Sequence, residues 1–168
     1  LDPNPSRLVL LDTMNFWMDV ALGELIAVIK KVDIITISDG EALQLSGQSN
    51  MVSAAKAIHK LGPAYVIIKK GEHGALLFYK DHPFYAPAIP LQQVIDPTGA
   101  GDSFAGGLSG YLASQEALSS RAIKEGVLHG TAAASICVGA MGTEGLVYAK
   151  KPKFLAQLQE LERLRTVS

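Results

Sequence analysis

From Val94 to Gly107 the chain reads Val-Ile-Asp-Pro-Thr-Gly-Ala-Gly-Asp-Ser-Phe-Ala-Gly-Gly, an order that few folds can accommodate. A strand-like apolar stretch ends at Asp96, and Pro97 stiffens the entry to a turn. Gly99 and Gly101, lacking Cβ atoms, admit positive φ and a close backbone approach to a ligand. A helix is expected from about Ala100 to Ala113, and its first turn carries unsatisfied N–H groups and the positive end of the macrodipole. An anion is favoured there. Asp102 lies in that first turn, so a carboxylate sits beside bare amides. The pairing suits phosphoryl transfer: N–H donors at Gly99, Ala100 and Gly101 would stabilise charge building on the transferred group, and Asp102 could accept the proton of an attacking hydroxyl. The plainer alternative is an ordinary glycine turn with Asp102 as a helix-start residue.

Composition narrows the classes. The 168 residues are 48% hydrophobic and 18% charged, enough for one domain with a proper core. Fifteen basic against 16 acidic side chains, with no basic block interleaved with aromatics, argue against nucleic acid as a partner. One cysteine, Cys137, excludes an internal disulfide framework, fits a reducing compartment and reads as a packing residue. No apolar run has membrane-spanning length and no signal peptide is visible, so the expected location is the cytoplasm, with no membrane partner. His59, His73, His82 and His129 lack the spacing of a zinc site. The opening Leu1 to Ser6 reads as a loop that has been cut into, which makes the chain an expected fragment.

Apolar periodicity alternates along the chain. Arg7 to Asp12 is a short apolar run, and Leu22, Leu25, Ile26 and Ile29 recur at helical spacing. Val32 to Ile37 is a β-branched strand running into a turn at Ser38-Asp39-Gly40. Val52, Ala55, Ile58 and Leu61 mark another helix, stopped by Gly62-Pro63, and Tyr65 to Lys69 is a strand. Ala75 to Tyr79 and Phe84 to Ala86 flank a hairpin at 80–83. Leu91 to Ile95 leads into the glycine turn, and the rest is helical. Ile123, Gly126, Val127, Gly130, Ala134 and Cys137 form one small-residue face, and a last helix from Pro152 carries Phe154, Leu155, Leu158 and Leu161 on one side. Alternating strands and helices imply one α/β domain over 1–168, with a mainly parallel sheet covered on both faces and ligands beyond the carboxyl ends of its strands.

The run Asp-x-Thr-Gly-x-Gly-Asp followed by Ser-Phe-Ala-Gly-Gly closely resembles the signature of the ribokinase-like (PfkB) family of carbohydrate and nucleoside kinases. No Walker-type G-x-x-x-x-G-K-[ST] is present, and the third glycine of the dinucleotide G-x-G-x-x-G is missing. The resemblance implies a three-layer α/β/α Rossmann-like sandwich, here the C-terminal nucleotide-binding portion without the N-terminal part and lid. It implies a transferase using ATP and Mg²⁺ to phosphorylate a small-molecule sugar or nucleoside.

Carried over residue by residue, Asp102 is the general base, and Gly99, Ala100 and Gly101 form the anion cradle. Lys69, Gly71 and Gly74 match the family's second nucleotide loop; the alternative is a hairpin turn with two solvated lysines. Glu41 matches the glutamate of an Asn-x-x-Glu motif that organises Mg²⁺ through water, with Ser38 replacing the asparagine; the alternative is a helix-start glutamate. Thr131 takes a place in the alanine-rich helix along the adenine pocket, where tight helix packing is equally good physics. Asp96 and Thr98 align with positions that hold a monovalent cation, K⁺, in some relatives. Asp12 to Trp17 is polar at a strand end, with Trp17 near the arginine of a relative's Asp-x-Asn-x-Arg pattern, so the acceptor's identity does not transfer. Two other readings stay open: a nucleotide-binding or interaction module without catalysis, and a structural piece that pairs with a lost half. A homo-oligomer is compatible with all three.

Overall fold

The computed structural model describes residues 8–80 and 83–166. The expected opening loop, Arg7, and Asp81 and His82 of the hairpin expected at 80–83 lie outside them. The chain divides into two compact units, one of Leu1–Lys70 with Leu76–Phe84, the other of Gly71–Ala75 with Tyr85–Ser168.

The first unit holds strands β1 (Leu10–Asp12), β2 (Ile34–Ser38) and β3 (Tyr65–Lys69), with helices α1 (Asn15–Val20), α2 (Leu22–Ile29), α3 (Asp39–Ser46) and α4 (Met51–His59) between them. β1 pairs parallel to β2, with Asp12 opposite Thr36, and β2 pairs parallel to β3, with Ser38 opposite Lys69. Alternation along a strand sorts the side chains by face. Ile35, Ile37, Val66 and Ile68 join Met18, Leu25, Ile29, Ala54, Ala55 and Ile58 from the helices in one apolar cluster. Ile34, Thr36 and Ile67, of opposite parity, are also buried, so β2 and β3 carry the continuous β-branched runs of a sheet covered on both faces.

Strands β4 (Ala75–Phe78) and β5 (Phe84–Ala86) extend the sheet to the order β1-β2-β3-β4-β5. Residues 70–74 are too few for a parallel crossover, so β4 returns antiparallel and the sheet is mixed. The expected turn at Ser38-Asp39-Gly40 does not form. β2 runs straight into α3, because Ser38 and Glu41 complete a reciprocal capping box that holds the first helical turn against the strand end.

The second unit is built on α5 (Ala100–Ala113), α6 (Ser120–Cys137), α7 (Glu144–Val147) and α8 (Lys151–Arg165). The small-residue face of α6 is a contact face. A Cβ on Gly130 would lie 2.7 Å from Phe104 O, and one on Gly107 would lie 2.7 Å from His129 O, so α5 and α6 approach to backbone distance. Two sequence expectations fail here. Leu91 to Ile95 is not a strand: Pro87, Pro90 and Pro97 remove donors, Leu91, Val94 and Ile95 are exposed, and the Ile95 N–H donates instead to Val138 O at the end of α6 (2.8 Å). On α8, Leu161 is fully buried but Leu155 is 45% exposed, so the buried stripe is narrower than its spacing implies.

Among the described residues no helix is long and apolar enough to cross a membrane, and no three His, Cys, Asp or Glu side chains converge as a metal cluster.

Candidate functional site

The expected site residues fall in both units. In the second unit, the turn before α5 has the backbone its sequence demands. Gly99 is the N-cap of α5 at φ +78°, a left-handed conformation costly for any residue with a Cβ. The Ala100 N–H donates to Pro97 O (3.2 Å) and the Ser103 N–H to Gly99 O (2.8 Å). The N–H groups of Gly99, Gly101 and Asp102 have no acceptor among the described residues, whereas that of Ala100, expected in the same cradle, is already committed. Asp102 is exposed beside these amides, and the next two residues, Ser103 and Phe104, are buried and anchor the helix.

This corner is braced from below. Asp96 Oδ1 accepts the Thr98 N–H (2.9 Å) and Oδ2 accepts the Gly142 N–H (2.9 Å), which ties the turn to the segment after α6. Those donors, the Thr98 amide first, hold the Asp96 carboxyl below its ordinary value. The buried Cys137 thiol donates to Gly142 O (3.3 Å) and lies 3.6 Å from Thr98 O, while its Sγ would be 3.8 Å from a Cβ on Gly99. Cys137 is thus the packing residue its apolar surroundings predict. Its position under the glycine turn, like the Asp96–Gly142 tie, has no signal in the sequence. The oxygen donors of Asp96 and Thr98 suit a hard monovalent cation in type.

Gly71–His73 forms a short 3-10 turn, and Gly74 (φ +81°) backs onto β5, where a Cβ would stand 2.2 Å from Ala86 O. Only glycine fits, and packing alone requires it. Tyr85 Oη donates to His73 O (3.2 Å) across the same turn. Thr131 is 8% exposed and its hydroxyl donates to Val127 O one turn back (3.0 Å), so its proton serves α6 itself.

In the first unit, the carboxyl ends of β1, β2 and β3 gather polar groups. Lys69 Nζ lies 2.6 Å from Asp12 Oδ1, and Thr36 Oγ1 also donates to that oxygen. Glu41 uses both oxygens: Oε2 accepts the Ser38 N–H (2.8 Å) and Oε1 the Asn15 N–H (3.1 Å). Its remaining lone pairs suit a water-mediated approach to Mg²⁺ better than direct ligation. Beyond it, Phe16 and Trp17 stand exposed, edge to face at 5.1 Å. The Asp12–Lys69 pair is the feature that sequence reasoning missed, since nothing in the spacing of the two residues announces it.

Comparison with known proteins shows the family of the chain. The family model described as pfkB family carbohydrate kinase matches residues 6–148. The cytidine kinase of Thermococcus kodakarensis is 39% identical over 88 residues, which are 50% of this chain and 31% of that protein. The aminoimidazole riboside kinase of Salmonella typhimurium is 36% identical over 109 residues, 65% of this chain and 34% of that one. Among solved structures, aminoimidazole riboside kinase from Salmonella enterica, complexed with aminoimidazole riboside and an ATP analog, superposes with a TM-score of 0.79 at 31% identity over 90% of this chain and 52% of that chain. Fructokinase from Vibrio cholerae shares the fold at a TM-score of 0.81 and 20% identity. The chain therefore spans about half the length of these solved relatives, 52% and 50%. With the family model covering most of its residues and the fold matching as well, this chain belongs to the pfkB family of carbohydrate kinases.

Proposed function

We propose that the protein is an ATP-dependent phosphotransferase that moves the γ-phosphate to a hydroxyl of a sugar or nucleoside. The observation that carries the reading is the left-handed Gly99 corner, which leaves the Gly101 and Asp102 amides open beside an exposed Asp102 carboxylate. Charge accumulating on the transferred phosphoryl group would be met by donors already in place, with little reorganisation. The acceptor's O–H proton passes to Asp102, its oxygen bonds to the γ-phosphorus, and the bond from that phosphorus to the β–γ bridging oxygen breaks. The electron pair leaves with ADP.

Gly99 and Gly101 supply the cradle, with Ala100 setting its shape through Pro97. Lys69, Gly71 and Gly74 contact the nucleotide, and Thr131 lies on the helix beside its base. Glu41, through water, would hold Mg²⁺, which neutralises phosphate charge when bound. Asp96 and Thr98 would hold K⁺. Names of relatives such as cytidine kinase and aminoimidazole riboside kinase support a sugar or nucleoside acceptor. The single, free and buried Cys137 supports work in the cytoplasm.

The test is ADP release in a coupled assay with a panel of sugars and nucleosides, on full-length protein with and without Asp102→Asn. Turnover should fall by about 10²–10⁴ while calorimetric Mg-ATP affinity changes little. Equal turnover in both proteins removes Asp102 from the chemistry. Mg-ATP binding without ADP release on any acceptor would favour a nucleotide-binding module over an enzyme.

A further inference from the structure

We propose that Asp12 is a positioning residue for Lys69, fixing its ammonium group where it meets the nucleotide phosphates; this rests on the nucleotide role proposed for Lys69 above. The register makes the pairing unusual. Asp12 closes β1 and Lys69 closes β3, with β2 between them, so two interstrand spacings separate the backbones, about 9–10 Å. Lys69 crosses that gap by lying over β2, and its Nζ stops 2.6 Å from Asp12 Oδ1. A shorter side chain at position 69 could not reach.

The carboxylate is fixed in turn. Thr36, fully buried at the register position opposite Asp12, donates its hydroxyl to the same oxygen. Asp12, Thr36 and Lys69 share a sheet face by parity, opposite to the one that Ile35, Ile37 and Ile68 present to the helical cluster. The charged side chains are only 17% and 23% exposed, so this is not a solvated surface pair that thermal motion breaks and remakes.

An ammonium held this way has lost its rotamer freedom before a ligand arrives, and two of its N–H donors remain for phosphate oxygens. The arrangement also sets a penalty. Without Lys69, Asp12 would be left as an unpaired, mostly buried carboxylate facing an incoming polyanion.

That asymmetry gives the experiment, calorimetry of Mg-ATP and of adenosine on the full-length chain for the wild type, Asp12→Asn, Lys69→Met, the double variant and Lys69→Arg. Asp12→Asn should weaken Mg-ATP about tenfold and leave adenosine within twofold, because only the phosphate contact depends on the pair. Lys69→Met should be weaker still, the double variant no weaker than Lys69→Met, and Lys69→Arg should recover most of the affinity. Independent, multiplying losses in the double variant, or equal losses for ATP and adenosine, would make the pair a purely structural tie and overturn the proposal. Wild-type Mg-ATP binding with no change in Asp12→Asn overturns the positioning role alone. Absence of Mg-ATP binding by the wild type overturns the nucleotide reading and this one with it.

Discussion

Asp96 and Gly142, 46 residues apart, are joined directly: the Gly142 N–H donates to Asp96 Oδ2 at 2.9 Å, so the turn that opens α5 is held to the segment that closes α6. The same carboxylate accepts the Thr98 N–H through Oδ1. One aspartate therefore braces the glycine corner through both of its oxygens.

The pH dependence of that tie follows from the lowered Asp96 pKa, caused first by the Thr98 amide and then by the Gly142 amide. With the folded value below the unfolded one, the unfolded chain binds more protons in acid. The tie stabilises the fold above the ordinary aspartate value and is lost as pH falls through the lower, folded value. Asp96→Asn should accordingly be less stable than the wild type near neutrality, and the gap should close below about pH 4. Urea denaturation across that range checks it; a gap independent of pH would show that the carboxylate charge is immaterial.

Two glycines near the α5–α6 contact should respond in opposite directions. Gly130→Ala places a Cβ 2.7 Å from Phe104 O, which can relieve it only by separating the helices, at a cost of about 1–3 kcal/mol. Gly106→Ala meets nothing within 4 Å and should stabilise α5 by about 0.5–1 kcal/mol. Denaturation midpoints of the two variants that moved together would contradict the close-contact account.

Ser38 stands where the resemblance to an Asn-x-x-Glu motif implies asparagine, and its Oγ accepts the Glu41 N–H at 3.3 Å. Both residue types cap helices well, so Ser38→Asn should change stability by only a few tenths of a kcal/mol, while Ser38→Ala should cost about 1 kcal/mol. Chemical denaturation of the pair decides whether capping is what position 38 supplies to the fold.

Ile35 is fully buried between the sheet and the helices of the first unit, and Leu155 on α8 is 45% exposed. Ile35→Ala should cost about 2–5 kcal/mol, against no more than about 0.5 kcal/mol for Leu155→Ala. Comparable losses would mean that Leu155 is covered by something in solution.

Much of the fold was legible because its signals are local. The β-branched run read at Val32 to Ile37, the Gly62-Pro63 stop and the start of α5 at Ala100 depend on neighbours within a few positions: the run formed a strand over Ile34–Ser38, α4 ended at His59, ahead of the stop, and α5 began at Ala100. The apolar stretch Leu91 to Ile95 misled for the opposite reason. Its hydrophobicity resembles a strand, but three nearby prolines and an acceptor on Val138 decided its course, and that acceptor is distant in sequence. Leu155 failed likewise, since helical spacing says which residues share a side and not how much of that side is covered.

By itself the sequence determined the glycine corner and the residue types that stand in it. Positive φ at Gly99, open amides at a helix start and an acid within the first turn all follow from residues next to one another. Only the tertiary structure decided which distant side chains meet within each unit. Asp96 to Gly142, Cys137 beneath Gly99 and Lys69 across β2 to Asp12 are contacts between distant positions. Register and helix docking bring such groups together, and no spacing along the chain encodes either.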